Sequence, residues 1–175
     1  MKKAIVTGGA GFIASHLVDK LLEEDYSVLV LDNFSTGRTQ NLEHHKENKN
    51  LKIVKVDIAD FAEILPFFKG VEQVFHLAAL ADIVPSIVNP SGYYKSNVNG
   101  TFNVVEAARL SEVKKLVYAA SSSCYGIPDA CPTKETAEIK PLYPYALTKY
   151  LGEQLVLHWG HVYKLPVISL RLFNV

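Results

Sequence analysis

The chain alternates between short apolar runs and longer segments whose apolar residues recur at helical spacing. Runs of about four to eight apolar residues predict buried strands, and apolar residues three and four positions apart predict helices with one buried face. Six runs are predicted as strands: Lys3–Thr7, Ser27–Asp32, Leu51–Val56, Val71–Leu77, Lys114–Ala120 and Pro166–Leu172. Four segments are predicted as helices: Phe12–Glu24, Ala59–Lys69, Pro90–Leu110 and Tyr145–Tyr163. Residues 33–50 and 121–144 are polar or rich in turn-forming residues and are predicted as loops.

This alternation predicts the fold class. Strands that are apolar throughout and alternate with helices are typical of a parallel sheet covered on both faces. Six strands with right-handed crossovers match the doubly wound order 3-2-1-4-5-6, the Rossmann arrangement. Such sheets bind ligands beyond the carboxyl ends of their strands. We therefore expect one α/β domain over residues 1–175, with its site at that edge of the sheet.

Composition narrows the class of protein. The 18 basic side chains balance 18 acidic ones, whereas a nucleic-acid-binding surface needs a basic excess, so we predict no nucleic-acid partner. The longest apolar runs fall short of the about 18 residues that span a membrane, which predicts no membrane partner. The apolar start breaks at Thr7–Gly9, too early for a secretion signal. Cys124 and Cys131 are expected to be unpaired thiols, and we expect a cytoplasmic protein.

A glycine-rich turn follows the first predicted strand. Residues 8–14 have the spacing Gly-x-x-Gly-x-x-Ala, with Gly8 and Gly11 in the glycine positions, and lead into a predicted helix. Glycines let the backbone approach a pyrophosphate closely, and a helix N-terminus offers it N–H groups. By itself the pattern also describes an ordinary turn. Between a buried strand and a helix it predicts dinucleotide binding.

Asp32 ends the second predicted strand, 21 residues after Gly11. A carboxylate in this position accepts hydrogen bonds from the adenosine ribose and repels a 2′-phosphate, which favours NAD over NADP. The alternative is that Asp32 only caps the following loop, and Arg38 nearby is a candidate partner for a phosphate. Asp57 and Ile58, at the end of the third predicted strand, are candidates for flanking the adenine.

Tyr145 and Lys149 are four residues apart at the start of a predicted helix and therefore share one face. A free phenol has a pKa of about 10, too high for a base at neutral pH, and a nearby ammonium favours the phenolate. Tyr145 is thus a candidate general base for a substrate hydroxyl. A hydroxyl from Ser121–Ser123, where the fifth strand ends, could donate to the same oxygen. A surface Tyr–Lys pair and a polar loop are the simpler explanations of either feature alone.

Seven short motifs occur in an order typical of one family. They are Thr7–Ile13, Asp32–Asn33, His76–Ala79, Asn97–Thr101, Ser121–Gly126, Tyr145–Lys149 and Arg171–Asn174. Together they resemble the extended short-chain dehydrogenase/reductases of the NAD-dependent epimerase/dehydratase family, and within them the nucleotide-sugar epimerases that act on UDP-glucose or UDP-N-acetylglucosamine. The resemblance covers essentially the whole chain and implies NAD as cofactor and a UDP-sugar as substrate.

The resemblance also implies roles for single residues. Tyr145 is the implied base, Lys149 holds the nicotinamide ribose and tunes Tyr145, and Ser121 is the hydroxyl partner. Ser122 and Ser123 are rivals for that last role and further substrate contacts. The other implied contacts to the cofactor are Gly8, Gly11, Phe12, Ile13, Asn33, Leu77, Ala78, Ala79 and Phe173, and Asn174 is implied at the nucleotide-sugar phosphates.

The implied reaction is redox-neutral. Tyr145 takes the proton of the sugar 4-hydroxyl while hydride passes from C4 to NAD, and hydride then returns to the opposite face. Related dehydratases carry Asp-Glu directly after the hydroxyl residue, where this chain has Ser122 and Ser123. A serine cannot do the proton work of a carboxylate near neutral pH, so an epimerase is preferred to a dehydratase. A non-catalytic NAD-binding module is the other alternative.

Family members continue well beyond the position of Val175 into a small substrate-binding domain. We therefore expect this chain to lack that domain and to show little or no turnover. The predicted helices that begin at Pro90 and Tyr145 carry apolar residues on more than one face. In the family such helices pair into a four-helix bundle, which implies a homodimer.

The histidines are predicted to have structural roles. His44–His45 and the pair His158 and His161 have no cysteine or carboxylate beside them at ligand spacing in the sequence. We therefore predict no metal site. His76, at the end of the fourth predicted strand, is expected to be packed in the interior.

Overall fold

The computed structural model describes residues 1–175, and all six predicted strands join one parallel sheet. The strands are β1 (Lys3–Thr7), β2 (Ser27–Asp32), β3 (Leu51–Lys55), β4 (Gln73–His76), β5 (Lys115–Ser121) and β6 (Val167–Leu172). Their spatial order is β3-β2-β1-β4-β5-β6, and every neighbouring pair is parallel. The predicted doubly wound order is confirmed. Strand boundaries differ from the prediction by at most two residues.

Helices cover both faces of this sheet. They are α1 (Phe12–Glu23), α2 (Phe61–Ile64), α3 (Ile83–Val88), α4 (Pro90–Tyr94), α5 (Gly100–Leu110) and α6 (Pro144–Tyr163). One apolar cluster joins α1 to the sheet through Val18 and Val30. A larger cluster on the other face contains Phe68, Val104 and Tyr118, all fully buried. No helix is both long and apolar enough to cross a bilayer.

Five segments depart from the predicted elements, and one of them is the predicted loop 121–144, which contains a 3-10 turn, Ser122–Tyr125. The predicted loop 33–50 contains a 3-10 helix, Thr39–His45, whose Leu42 is buried in the cluster beneath α1. The predicted helix 59–69 is only the short α2 followed by a 3-10 turn, Leu65–Phe68, because Pro66 has no N–H to donate to residue 62. The predicted helix 90–110 widens into a π-helical turn at Lys95–Asn99. Helix α3 was not predicted, since its apolar residues are exposed and mark no buried face.

A buried histidine ties the carboxyl ends of two strands to a helix. His76 lies between the Thr7 hydroxyl, 2.7 Å from Nδ1, and the Thr101 hydroxyl, 2.9 Å from Nε2. Because the Thr101 hydroxyl donates to the Asn97 carbonyl, Nε2 of His76 carries the ring proton and Nδ1 accepts from Thr7. Burial, together with the charge of Lys149, lowers the pKa of His76 to about 3. His76 is therefore a neutral packing residue, as expected from the sequence.

Candidate functional site

A continuous groove runs along the carboxyl edge of the sheet, where the predicted motifs meet. Its wider part has a volume of about 1110 Å³ and reaches Ser121 and Tyr145. A narrower pocket of about 90 Å³ extends it to Asp32 at the end of β2. Both parts share the lining residues Gly8, Gly11, Leu77 and Ala79. The two ends of the predicted dinucleotide site thus lie in one groove.

The glycine-rich turn forms the floor of this groove. Gly8 has a φ of +70°, and a Cβ there would lie 2.7 Å from the Cα of Ala78, so only glycine fits. Helix α1 begins directly after Gly11, and neither a capping side chain nor an acidic residue occupies its first turn. Its first N–H groups and the positive end of its dipole therefore face the groove, beside the lining residues Phe12 and Ile13. This is the arrangement that binds a pyrophosphate.

Asp32 holds the following loop and also lines the narrow pocket. Its carboxylate accepts hydrogen bonds from the N–H of Ala10 (2.9 Å) and of Phe34 (2.8 Å), which hold the following loop. It also lines the narrow pocket, and a Cβ on Gly37 would lie only 3.0 Å from both carboxylate oxygens. A carboxylate has about four acceptor positions, so two remain for the hydroxyls of a ribose.

The other residues predicted around the adenine end separate into two groups. Asn33 and Ile58 line the narrow pocket, as do Leu77, Ala78 and Ala79. Asp57 does not line it, because its Oδ1 accepts a hydrogen bond from the N–H of Ala59 (2.9 Å) and shapes the turn after β3. Polar residues that the sequence did not single out complete the pocket: Ser35, Thr36 and Ser96.

At the opposite end of the groove, the structure brings together the phenol and serine that the motifs predicted. The Tyr145 hydroxyl donates to Oγ of Ser121 across 3.4 Å. Ser121 is the last residue of β5 and caps a 3-10 turn, Ser122–Tyr125, by accepting from the N–H of Ser123. The Oγ atoms of Ser121 and Ser123 are 2.7 Å apart. All three serines line the groove, as do Phe173 and Asn174 at its open rim.

Lys149 lines the groove but is almost fully buried. Its Nζ lies 4.3 Å from the centre of the Tyr118 ring. Burial lowers the pKa of Lys149 to about 7, although the nearby Glu153 acts in the opposite direction. The charge of this ammonium is therefore adjustable near neutral pH, which suits a residue that tunes a phenol.

A charged network that the sequence did not reveal supports this end of the groove. Glu153, buried one turn after Lys149, accepts hydrogen bonds from Oγ of Ser169 (2.7 Å) and from Nε of Arg171 (3.0 Å to Oε2). Arg171 also donates to the hydroxyl of Tyr125 (2.8 Å). The network joins α6, β6 and the turn after Ser121. Arg171 belongs to a recognised motif, but nothing in the sequence links it to Glu153.

Comparison with known proteins settles the family. Residues 4–175 match the model of the NAD dependent epimerase/dehydratase family. The chain belongs to this family. The family's cofactor is NAD, and the glycine at positive φ, the uncapped start of α1 and the buried Asp32 carboxylate all fit it.

Several relatives and solved structures similar to this chain are named as 4-epimerases, and others are named as 4,6-dehydratases. The UDP-glucose 4-epimerase of Mycolicibacterium smegmatis is 40% identical over 176 residues, which cover 99% of this chain and 56% of that protein. A structure of UDP-N-acetylglucosamine 4-epimerase from Methanobrevibacter ruminantium has a TM-score of 0.92 at 36% identity, covering 97% of this chain and 54% of that one. A structure of UDP-glucose 4-epimerase from Brucella ovis in complex with NAD has a TM-score of 0.91 at 32% identity. The match covers 99% of this chain and 52% of that one. The chain thus spans about half the length of the relatives it matches.

The charge on Asp32 is expected to decide the choice between NAD and NADP. Asp32→Asn keeps a carbonyl acceptor for the loop but removes the negative charge. We expect NAD affinity to fall about tenfold, the equivalent of one hydrogen bond to a charged group, and the preference for NAD over NADP to shrink. Isothermal titration with both nucleotides measures this. Asp25→Asn, in the exposed turn after α1, is the matched control and should change neither affinity. An undiminished preference for NAD in Asp32→Asn would contradict this role.

Burial of Lys149 is expected to make folding stability depend on pH in a defined direction. An unfolded lysine has a pKa of about 10.4, against about 7 in the folded chain. Between these values the unfolded chain binds more protons, so the free energy of unfolding rises with pH. We expect the stability of the unaltered chain relative to Lys149→Met to increase from pH 7 to pH 10 in urea titrations without NAD. The exposed Lys95→Met should show no such trend, and a flat difference for Lys149→Met would refute the burial effect.

Proposed function

We propose that residues 1–175 form the cofactor domain of an NAD-dependent nucleotide-sugar 4-epimerase and carry its catalytic side chains. The observation behind this proposal is the contact between the Tyr145 hydroxyl and Ser121 Oγ, 3.4 Å apart, at the end of the groove opposite Asp32. A dinucleotide lying along that groove, with its adenosine at Asp32, would place its nicotinamide beside this pair.

In the proposed mechanism, Tyr145 takes the proton of the sugar 4-hydroxyl and later returns it. The ammonium of Lys149, held in the same groove, favours the phenolate that this step requires. Oγ of Ser121 forms a hydrogen bond with the same sugar oxygen. The contact between Oγ of Ser121 and Oγ of Ser123 fixes the position of the Ser121 hydroxyl. NAD, when bound, supplies the acceptor and donor of hydride for C4 of the sugar.

A UDP-hexose is the substrate class that we propose. The relatives above are named for UDP-glucose and UDP-N-acetylglucosamine. In this chain Ser122, Ser123 and Asn174 line the groove on the side where a sugar nucleotide would lie. The two positions after Ser121 hold hydroxyls, so the turn offers no carboxylate for eliminating water, which favours epimerisation over dehydration.

Turnover by these residues alone is expected to be slow. Phe173 and Val175, at the rim of the groove, are largely exposed, and the groove stands open above them. A loosely held sugar spends little time in the geometry that hydride transfer requires. The experiment on the catalytic residues is therefore a single-turnover measurement rather than a steady-state assay.

We propose that the protein is located in the cytoplasm. Both cysteines are free thiols, Cys124 buried and Cys131 exposed. Unpaired thiols are typical of reducing compartments.

We also propose a homodimer formed through α5 and α6, which pack side by side. Phe102 contacts Trp159 edge to face, yet Phe102, Leu157 and Tyr163 remain exposed. A two-fold axis would bury the same apolar patch on both copies. We expect sedimentation equilibrium to give twice the chain mass of 19.4 kDa. A monomer at high concentration would contradict the dimer.

Removing the Tyr145 hydroxyl is expected to stop the proton transfer. With NAD bound and UDP-galactose in excess, the unaltered chain should form reduced cofactor, measured by its absorbance in a single turnover. Tyr145→Phe should slow this at least about 100-fold, the contribution typical of a general base. Tyr143→Phe is the matched control, because the Tyr143 ring is stacked parallel to Tyr145 at 6.4 Å and lines the same groove.

Two outcomes would count against the proposal. Reduction at an unchanged rate in Tyr145→Phe would remove Tyr145 from the chemistry. An unaltered chain that binds NAD but forms no reduced cofactor at any concentration of sugar nucleotide would favour a non-catalytic NAD-binding module.

A further inference from the structure

Three potential metal ligands, Asp19, His44 and His45, meet on the outer surface of the molecule, where the 3-10 helix 39–45 lies against α1. Nε2 of His44 and Nε2 of His45 are 2.8 Å and 2.7 Å from the same carboxylate oxygen, Oδ1 of Asp19. Nδ1 of His16 lies 3.5 Å from the other oxygen, Oδ2. The sequence concealed this cluster, because its two halves are 25 residues apart and only the packing of the 3-10 helix joins them. The carboxylate beside His44 and His45 comes from a distant segment, so spacing in the sequence could not reveal it.

The donor set has the chemistry of a zinc site. Imidazole nitrogens and a carboxylate oxygen are ligands that Zn²⁺ prefers, in a tetrahedral arrangement with bonds of about 2.0–2.2 Å. Ligand atoms in such a tetrahedron are roughly 3.3 Å apart. The ligand atoms of Asp19, His44 and His45 already lie within 4.8 Å of one another.

The cluster is poorly explained as an ion pair alone. The rings of His44 and His45 are 4.1 Å apart, so protonating both would place two positive charges side by side on one carboxylate oxygen. Partly exposed ion pairs of this kind contribute little to stability. One divalent ion satisfies the carboxylate and both imidazoles without that repulsion.

The backbone that carries these ligands is held in place independently of them. Nδ2 of Asn41 donates to the carbonyl of Ala10 across 2.8 Å, and the N–H of Arg38 donates to the same carbonyl across 3.0 Å. Leu42 is buried beneath the 3-10 helix. The side chains of His16 and His44 are 68% and 55% exposed, which leaves an entry path for an ion from solvent.

We propose that Asp19, His44 and His45 bind one Zn²⁺ ion, or another divalent transition metal that favours nitrogen ligands. The ion joins the 3-10 helix 39–45 to α1. None of the three residues lines the groove at the carboxyl edge of the sheet, so the site is structural and does not depend on the proposed reaction.

Metal titration of the chain, prepared without a histidine tag, tests this proposal. Zn²⁺ is added in competition with a chromophoric chelator, and Co²⁺ is added separately to record the visible bands of tetrahedral cobalt. We expect one ion per chain and tetrahedral bands. The double variant His44→Gln, His45→Gln should weaken binding well beyond tenfold, because outer-sphere changes alone cost about 10–100-fold.

Two further variants complete the experiment. His158→Gln, His161→Gln removes an exposed histidine pair from α6 and should leave binding unchanged. Asp19→Asn keeps the size and hydrogen-bonding shape of the side chain and should weaken binding even where the histidine variant fails to fold, as judged by thermal melting. The proposal is overturned if the unaltered chain binds no more tightly than the Asp19 or His44/His45 variants, if the α6 control loses as much affinity, or if cobalt gives only octahedral bands.

Discussion

The alignment of parallel strand ends is the constraint on which the rest of this structure depends. The ladder pairs Thr7 with both Leu31 and His76, and pairs His76 with Tyr118, so the strands that carry the site reach one edge in register. The buried hydrogen bonds of His76 to Thr7 and Thr101 hold that edge together. The glycine turn and the turn at Ser121–Ser123 leave the sheet from that edge, and the groove is the space between them.

Lys149 is ionisable and yet buried, and burial disfavours its charged form. An ammonium away from water is costly, and its lowered pKa reflects this cost. The neighbouring Glu153 opposes the shift, but its carboxylate is also bound by Arg171 and Ser169. The consequence is a buried lysine in the wall of the groove whose own pKa lies near neutral pH.

Segments that are distant in the sequence come together at two separate places, the groove and the histidine–aspartate cluster. The groove is built from strand ends whose positions follow from the topology, and the chain that forms it matches epimerases over about half of their length. The histidine–aspartate cluster is built from the outer face of α1 and a 3-10 helix, away from that groove. The first contains the motifs typical of the family, whereas the second lies on the outer surface of the molecule.

The sequence by itself determined the strands, their order and most of the site, because buried strands and the motifs at their ends are local patterns. Gly8, Asp32, Ser121 and Tyr145 were all recognisable in this way, and the groove collects them. Only the tertiary structure paired Asp57 with the N–H of Ala59, buried Lys149 beside the Tyr118 ring, and joined Glu153 to Arg171 and Asp19 to His44 and His45. These are contacts between residues far apart in the chain or changes in exposure to water, and neither leaves a periodic trace in the order of amino acids.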